Sequence, residues 1–250
     1  MSEREIPRGL IQALRYAGRI TVLTGSGISA ESGVPTFREA RSGLWARYDP
    51  QQLATAEAFE RDPHLVSEWY EWRRRLVSEA EPNPGHRALA ELEGRVPVFT
   101  LITQNVDGLH RRAGSENVIE LHGNILRSRC SWEGETVEPE EGGAVPPVCP
   151  NCGAPLRPDV VWFGEMLPAG AFEAASEAAR ECEVFLSVGT SSLVYPAAAL
   201  PYEALESGAT LVEVNPSETP LTGNADHVLR GPAGEVLPEL LRKAFSPTSR

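Results

Sequence analysis

The chain has 250 residues, 41% of them hydrophobic, and a formal net charge of −12 at pH 7. That length can bury a complete α/β core with a smaller module attached. The acidic charge disfavours a duplex DNA-binding surface, which needs a basic stripe to replace counterions, and is explained by solubility. No apolar run is long enough to cross a bilayer, and the first residues lack a signal peptide. We therefore expect a cytoplasmic protein without specific nucleic-acid or membrane partners.

A glycine-rich loop follows the first predicted strand. Residues 7–17 predict a helix, and the β-branched, apolar residues 19–23 predict a buried strand. The pattern Gly25-x-Gly27-x-x-Ala30 falls where this strand turns into a helix, which is the position of a phosphate cradle. Gly25 permits the tight turn, and Gly27 lets backbone amides and a helix N-terminus approach a pyrophosphate. Alone, the pattern is equally explained by a glycine-rich turn without a ligand.

The chain after this loop departs from an ordinary dinucleotide fold. Such a fold has a second strand that ends in Asp or Glu about 20 residues later and holds the ribose. Here the first acid in that region is Asp49, with Pro50 after it and no apolar strand before it. The missing acid disfavours an NAD dehydrogenase. Phe37 and Arg38 instead place an aromatic ring and a guanidinium near whatever the glycines bind, which predicts a nucleotide site with an added reaction loop.

The rest of the chain alternates between strands and helices. We predict strands at residues 96–102, 117–121, 160–162, 184–188 and 210–214, and helices at residues 84–94, 168–180, 197–206 and 234–244. This alternation predicts an α/β fold, a doubly wound, Rossmann-like parallel sheet covered on both faces. The large domain takes residues 1–38, 83–124 and 159–250. A small domain combines a helical module at 39–82 with a loop-rich, cysteine-containing module at 125–158.

Polar residues and glycines follow five of the predicted strands, at Gly25, Gln104, His122, Gly189 and Asn215. Because the carboxyl ends of parallel strands open on one crevice, we expect these residues to line one site. By themselves, Asn105 and Asp107 are typical of a turn or a helix cap, and a lone histidine is typically structural. Their place beside the glycine loop makes all three candidates for catalysis, since imidazole titrates near neutral pH.

Three clustered cysteines predict a structural, zinc-ribbon-like metal site. Cys149 and Cys152 form a complete Cys-x-x-Cys unit, whereas the partner unit begins with Cys130 and has Glu133 where the fourth thiolate belongs. A water, Glu133 or Glu135 could complete a zinc tetrahedron. Alternatively, the module binds no zinc and is held by packing.

Six segments in order along the chain resemble the sirtuins, which are NAD-dependent protein-lysine deacylases. They are TGSGISAESGVPTFR (residues 24–38), TQNVD (103–107), LHG (121–123), VWFG (161–164), GTS (189–191) and Asn215. The resemblance implies a large dinucleotide-binding domain and a small domain built from two insertions. NAD, which is consumed as co-substrate, and an acylated lysine of a protein or peptide would meet between them.

The resemblance also implies the cofactor contacts. Gly25, Ser26 and Gly27 would hold the pyrophosphate beside Ala30. The adenosine half would lie among Gly189, Thr190, Ser191, Asn215 and Ala233. Phe37 and Arg38 would belong to a mobile loop, with Phe37 shielding the anomeric carbon from water, although a core aromatic is the simpler interpretation of Phe37 alone.

The catalytic residues follow from the same resemblance. Asn105 would orient the nicotinamide ribose and a water, and Asp107 would hold the carboxamide, with Gln104 and Val106 beside them. The acyl oxygen would attack the ribose carbon as nicotinamide leaves. His122 would then act as general base on a ribose hydroxyl, to which the acyl group migrates. The products would be free lysine, nicotinamide and O-acyl-ADP-ribose.

Tyr70 and Arg73 are candidates for recognising the acyl group. They stand three residues apart on a predicted helix, and Arg73 can grip a carboxylate while Tyr70 donates a hydrogen bond. Alone, arginines among glutamates indicate a solvated, ion-paired face. Sirtuins that remove succinyl and malonyl groups carry Tyr-x-x-Arg at the corresponding place, and Ala58 would leave room for the chain. The resemblance therefore implies a desuccinylase and demalonylase, with deacetylation as a second activity.

Substrate peptides would bind as an added strand. Val161, Trp162, Phe163 and Gly164 resemble one of the two sirtuin segments that clamp the peptide, and residues 192–194 resemble the other. Main-chain pairing predicts broad tolerance of substrate sequence. A plain deacetylase, a sirtuin-like mono-ADP-ribosyltransferase and a non-catalytic NAD sensor are the alternative functions.

Overall fold

A computed structural model describes residues 5–35, 49, 53–138 and 145–245. Phe37 and Arg38 lie outside the described residues. The helices are α1 (Arg8–Tyr16), α2 (Ala56–Arg61), α3 (Pro63–Glu79), α4 (Pro84–Glu93), α5 (Leu109–Arg112), α6 (Ala171–Glu181), α7 (Leu200–Glu206) and α8 (Ala233–Phe245). Among these described elements, no helix has the length and apolar character needed to cross a membrane.

The large sheet is parallel and doubly wound, as predicted. Its strands are β1 (Arg19–Thr24), β2 (Val98–Thr103), β3 (Val118–Glu120), β7 (Val184–Val188), β8 (Thr210–Val214) and β9 (His227–Leu229). Their order across the sheet is β3-β2-β1-β7-β8-β9, and every neighbouring pair is parallel. The chain order reverses between β1 and β7, which places the topological switch point, and hence the ligand crevice, at the carboxyl ends of these two strands.

Both faces of this sheet are buried. Val184, Leu186 and Val188 of β7 pack into the cluster that includes residues of α1, α4 and α8. Phe185, which points to the other face, packs into the cluster with α6 and α7. Alternate strand residues point to opposite faces, so a mainly apolar strand such as β7, in which Ser187 is the one polar residue, is suited to a sheet covered on both sides.

A second core forms in the small domain. The N-terminal end of α2 is capped by Thr55, whose hydroxyl accepts from the amide of Ala58 at 3.1 Å. Asp62 caps α3 in the same way through the amide of Leu65 at 3.0 Å, just before Pro63. These helices pack on an antiparallel sheet of β5 (Thr136–Val137), β4 (Gly123–Cys130) and β6 (Leu156–Val160), in that order.

Most of the described residues between 125 and 158 lie outside strands, as predicted, although the segment also contains most of β4, β5 and β6. One sequence prediction is wrong here. The strand predicted at 160–162 lies outside the parallel sheet, because the chain pairs antiparallel with β4 up to Val160. Pro158 and charged residues interrupt the apolar pattern of β6, so periodicity did not reveal it. The small sheet extends two residues beyond each predicted limit of the module, at 125 and 158, and the domain division itself stays a prediction.

The α-helix predicted after the glycine loop is also wrong. The chain forms two short 3₁₀ turns instead, Ser26–Ile28 and Ala30–Ser32, and turns away at Gly33 with φ 77°. Serine side chains compete with helical hydrogen bonding, and glycine readily adopts positive φ, so the run cannot extend into a helix. The helix-dipole contribution that we expected at the phosphate cradle is therefore missing from this loop.

The loops after β1 and β7 touch backbone to backbone. The amide of Gly25 donates to the carbonyl of Val188 at 3.0 Å, and the amide of Gly27 donates to the carbonyl of Gly189 at 2.8 Å. A Cβ atom on Gly27 would lie 2.7 Å from the Gly189 carbonyl oxygen. Glycine is therefore needed at these positions so that the two loops can touch, before any ligand is considered. The amide of Gly27 already donates a hydrogen bond to Gly189.

We expect Gly27→Ala to lower the free energy of unfolding by about 1–3 kcal/mol, since the new methyl group must displace backbone. Gly94→Ala is the matched control, because Gly94 has φ −74° and the nearest atom to an added Cβ lies 3.6 Å away. Its stability should stay within about 0.5 kcal/mol of the parent or rise slightly. Urea unfolding of the three proteins measures this, and an unchanged midpoint for Gly27→Ala would contradict the packing argument.

Candidate functional site

The predicted cofactor residues meet at the switch point of the sheet. Gln104, which follows β2, donates from Nε2 to the hydroxyl of Thr190 at 3.0 Å. Asn215, which follows β8, donates from Nδ2 to the carbonyl of Thr190 at 2.8 Å. Thr190 therefore joins the loops after three strands of the sheet.

Three further cofactor candidates lie in or beside the loops that follow β1 and β2. Ala233 is buried at the start of α8, where the carboxylate of Glu31 accepts from the Gly234 amide at 2.7 Å. The carbonyl of Val106 accepts from the amide of Ile125 at 2.8 Å. Ala30 is exposed in the second 3₁₀ turn, beside this Glu31 contact.

Asn105 and Asp107 share one hydrogen-bond partner, Ser29. The hydroxyl of Ser29 donates to Oδ2 of Asp107 at 2.7 Å. Asn105 donates from Nδ2 to the Ser29 oxygen at 3.2 Å and to the Gly25 carbonyl at 3.1 Å. Burial raises the pKa of Asp107, while the amide of Leu109 and the hydroxyl of Ser29 partly oppose that shift. The sequence analysis did not identify Ser29 as a site residue. Its position in the glycine loop, directly before Ala30, could have indicated that it lies at the site.

Two buried histidines support this group. Nδ1 of His86 accepts from the amide of Asn83 at 3.3 Å, so Nε2 carries the proton and faces the Ser29 oxygen at 3.4 Å. Burial lowers the pKa of His86 to about 4 and that of His110 to about 3, so both rings are neutral at pH 7. The two ring centroids lie 4.9 Å apart.

His110 reaches Asn105 through two hydroxyl groups. Thr24 donates to the hydroxyl oxygen of Thr103 at 2.9 Å, so Nε2 of His110 donates to Thr24, also at 2.9 Å. The Thr103 oxygen also accepts from the backbone amide of Asn105 at 3.0 Å. Thr24, Thr103 and His110 thus hold the catalytic candidate Asn105 in place. Nothing in the sequence pattern distinguished these three from polar residues that are merely buried in the core.

His122 has the geometry of a general base. Its Nδ1 lies 3.0 Å from the carbonyl oxygen of Gln104, which can only accept, so Nδ1 carries the proton. Nε2 is then unprotonated and able to take a proton. Burial lowers the pKa of His122, and the hydrogen bond to Gln104 partly restores it. The backbone is also fixed, since the His122 carbonyl accepts from the amide of Val161 at 2.9 Å.

Tyr70 and Arg73 lie on the face of α3 that meets the small-domain core. Tyr70 and Ala58 are both buried, and the guanidinium carbon of Arg73 lies 5.6 Å from the Tyr70 ring centroid and 4.9 Å from that of Trp69. Burial lowers the pKa of Arg73, and its interactions with Tyr70, which include a side-chain hydrogen bond, and with the carboxylate of Asp107 oppose that shift. Arg73 is thus electrostatically coupled to the nicotinamide-side candidate Asp107.

The neighbouring arginines of α3 behave differently from Arg73. Arg74 and Arg75 form ion pairs with Glu71 at 3.3 and 3.7 Å, as expected for a solvated face. Arg74 also donates to the carbonyl of Ile125 at 2.9 Å. The charged-surface interpretation therefore fits Arg75, whereas Arg73 stacks on aromatic rings.

The segment expected to clamp a substrate peptide is partly engaged within the chain. The amide of Phe163 donates to the carbonyl of Ala54 at 2.9 Å, while the Phe163 side chain is exposed. The side chain of Trp162 is buried in the small-domain core, and Gly164 turns the chain with φ 86°. Leu193 and Val194 of the second expected segment are exposed. Peptide binding between these segments stays a prediction.

Two similar turns form the cysteine cluster. The Cys130 carbonyl accepts from the amide of Gly134 at 3.0 Å, and the Cys149 carbonyl accepts from the amide of Gly153 at 2.8 Å. The two glycines have φ 72° and 76°. Because each turn repeats the other, Glu133 occupies the place in the first turn that Cys152 occupies in the second.

These four side chains fit a metal ion. The ligand atoms of Cys130, Glu133, Cys149 and Cys152 all lie within 4.8 Å of one another. The Cys130 and Cys152 sulfurs are 3.4 Å apart, and the Cys149 sulfur is 3.9 Å from Glu133 Oε2. In a zinc tetrahedron with ordinary bond lengths, two sulfur ligands lie roughly 3.8 Å apart. The cluster does not include Glu135, so the geometry favours Glu133 as the fourth ligand.

Comparison with known proteins gives consistent matches. The chain matches the Sir2 family over residues 25–196. NAD-dependent protein deacylase 1 of Pseudomonas aeruginosa is 54% identical over 247 residues, 95% of this chain and 99% of the relative. A solved complex of a Sir2 homologue with NAD is 46% identical, with a TM-score of 0.91 over 98% of this chain and 96% of the other. A Sir2 structure with a deacetylated p53 peptide and 3′-O-acetyl ADP ribose is 32% identical, with a TM-score of 0.83 over 94% and 97%.

We expect Glu133→Ala to weaken zinc binding at least about tenfold, since even residues that only orient metal ligands contribute that much. Glu133→Cys should bind zinc at least as tightly as the parent, because it restores a four-thiolate set. Zinc retained per chain during titration with a chelator measures this, and Glu135→Ala is the matched control. Equal zinc retention by the Glu133→Ala and parent proteins would exclude Glu133 as a ligand.

Proposed function

Because this chain belongs to the Sir2 family and is an NAD-dependent protein deacylase, we propose that it removes succinyl and malonyl groups from lysine, and acetyl groups as well. The products are free lysine, nicotinamide and O-acyl-ADP-ribose. The relative solved with a deacetylated p53 peptide and 3′-O-acetyl ADP ribose supports the acetyl activity and the type of product. The selectivity for acidic acyl groups rests on this chain's own residues.

The observation that supports acidic acyl groups is the arrangement of Tyr70 and Arg73. A guanidinium grips a carboxylate through two parallel hydrogen bonds, and a phenol adds a third donor. Arg73 is held against the rings of Trp69 and Tyr70, which leaves the planar group little rotational freedom to lose on binding. Tyr70 lies in the small-domain cluster that also contains Ala58 and Trp69, and Arg73 contacts the Trp69 ring of that cluster.

The reaction assigns a separate task to each polar residue in the crevice. Asn105 orients the nicotinamide ribose, and Asp107 holds the carboxamide, while Ser29 keeps both side chains in place. The acyl oxygen forms a bond to the ribose carbon as the bond to nicotinamide breaks. His122 then removes a proton from a ribose hydroxyl through its free Nε2, and that oxygen bonds to the acyl carbon. The bond between the acyl carbon and the lysine nitrogen breaks as the amine takes up a proton and leaves, and a water molecule then adds to the bridged intermediate, which gives O-acyl-ADP-ribose.

Nucleotide binding falls to the backbone of the two touching loops. Gly25 and Gly27 carry no side chains where the loop after β1 meets Gly189, so a pyrophosphate can approach the main chain closely. Ser26 is exposed between the two glycines and can contact the phosphates. The adenosine half of NAD would extend toward Ser191 and Asn215.

We further propose a cytoplasmic location, from composition alone.

We expect Arg73→Met to reduce kcat/KM for a succinyl-lysine peptide about 10–100-fold, the size of a charge-assisted hydrogen-bond loss. Activity on the matched acetyl-lysine peptide should change less than about threefold, because that group offers no carboxylate. Arg75→Met is the control, since Arg75 is exposed and pairs with Glu71 at 3.7 Å. Nicotinamide release measures all three proteins, and equal losses on both peptides would reject Arg73 as the selectivity residue.

A further inference from the structure

Tyr70 has a buried hydrogen-bond partner, Trp162. The indole Nε1 of Trp162 lies 2.8 Å from the Tyr70 hydroxyl oxygen. Only 2% of Trp162 and 3% of Tyr70 are exposed, and the two rings are tilted by 35° with centroids 6.2 Å apart. We expect the backbone of Trp162 to contact the substrate peptide. Its side chain contacts Tyr70 of the proposed acyl-recognition pair.

The chemistry of this contact fixes which atom carries the proton. An indole N–H can only donate, so the Tyr70 oxygen must accept. A phenol has one proton, which lies near the ring plane on one side of the oxygen or the other. A donor on one side therefore directs the proton to the opposite side. Burial raises the pKa of Tyr70 to about 12, so the hydroxyl stays protonated at pH 7.

Trp162 is itself held firmly on several sides. The guanidinium carbon of Arg157 lies 3.3 Å from the centroid of the Trp162 ring system. Arg157 also forms a two-pronged ion pair with Glu165, and the same carboxylate accepts from the Trp162 amide at 2.8 Å. Phe59 contacts the indole with a centroid separation of 5.4 Å. The indole N–H thus has a defined direction before any substrate binds.

We propose that Trp162 is a positioning residue for acyl selectivity, because its indole N–H orients the Tyr70 hydroxyl to donate to the carboxylate of an acidic acyl group. Arg73 stands three residues beyond Tyr70 on the same face of α3, so a carboxylate that accepts the hydroxyl proton lies within reach of the guanidinium. An acetyl group has no carboxylate to receive this proton. The inference rests on the proposed succinyl and malonyl activity.

The test removes the indole N–H and keeps the aromatic ring. Trp162→Phe should reduce kcat/KM for succinyl-lysine peptide about tenfold, the size of one lost hydrogen bond. The acetyl-lysine peptide should change less than about twofold, since it makes no use of the proton. Tyr70→Phe should give the same selective loss, and the double variant should equal Tyr70→Phe alone, because both changes act through one hydroxyl.

A second variant guards against general damage to the core. Benzothienylalanine at position 162, introduced by an expanded genetic code, keeps the bicyclic shape and lacks only the N–H, so it should reproduce the selective loss. Trp132→Phe is the control, because Trp132 is 82% exposed. Thermal unfolding checks that each protein is folded.

Three results would overturn the inference. Equal losses of kcat/KM on the succinyl-lysine and acetyl-lysine peptides would show that Trp162 serves only in packing. An unchanged succinyl-to-acetyl ratio in both position-162 variants, with the parent preferring succinyl, would show that the N–H does not matter. A parent protein without preference for succinyl would reject the proposed acyl selectivity itself, so the two failures are distinguishable.

Discussion

The site depends on one close contact, in which the loop after β1 lies against the loop after β7 at the switch point of the sheet. The amide of Gly27 donates to the carbonyl of Gly189 at 2.8 Å, and a Cβ on Gly189 would lie 2.5 Å from the Ile28 nitrogen. No residue with a side chain fits between these backbones. Because the contact is made by main chain, it sets the distance between the two segments that would bind the halves of a dinucleotide.

From this contact the polar residues are held by a connected network. Ser29, in the β1 loop, links Asp107 and Asn105, and His86 lies behind it. His110 adds a second route to Asn105 through Thr24 and Thr103. Both histidines are neutral, so they act as hydrogen-bonding groups and add no charge to a buried site. Buried hydrogen bonds of this kind keep groups in one geometry before a substrate binds.

The proposed acyl recognition uses a different part of the fold. Tyr70 of α3 and Ile125 of β4 belong to one cluster, so both insertions contribute to it, and Trp162 joins it from just after β6. The carboxylate of Asp107 favours the charged form of Arg73 and so opposes the fall in its pKa that burial causes.

The sequence was sufficient for the elements with uniform apolar patterns. Strands β7 and β8 lie at the predicted residues 184–188 and 210–214, because sheet positions buried on both faces leave mainly apolar, β-branched segments that only Ser187, Thr210 and Glu213 interrupt. Strand β6 was missed, since its burial is shared with Pro158 and Arg157, which resemble loop residues in sequence. The predicted helix after Gly27 failed because local turns around serine and glycine outcompeted it.

The candidate site was only partly accessible from sequence. Motif resemblance identified Asn105, Asp107 and His122, whose surroundings are fixed by contacts between distant segments. Ser29 and His86 are 57 residues apart in the chain, and no local pattern predicts that they meet. The choice between Glu133 and Glu135 as candidate fourth metal ligand also required the structure. The two matching turns place Glu133, and not Glu135, beside the three cysteines.

The most direct test of this account replaces the proposed base and separates binding from turnover. NAD affinity and the masses of all products would be measured for the parent and His122→Ala with a succinyl-lysine peptide. The parent should form nicotinamide, free lysine and O-succinyl-ADP-ribose in equal amounts, while His122→Ala should bind NAD and form no O-succinyl-ADP-ribose. Full turnover by His122→Ala, or hydride transfer to NAD in place of nicotinamide release, would contradict the account.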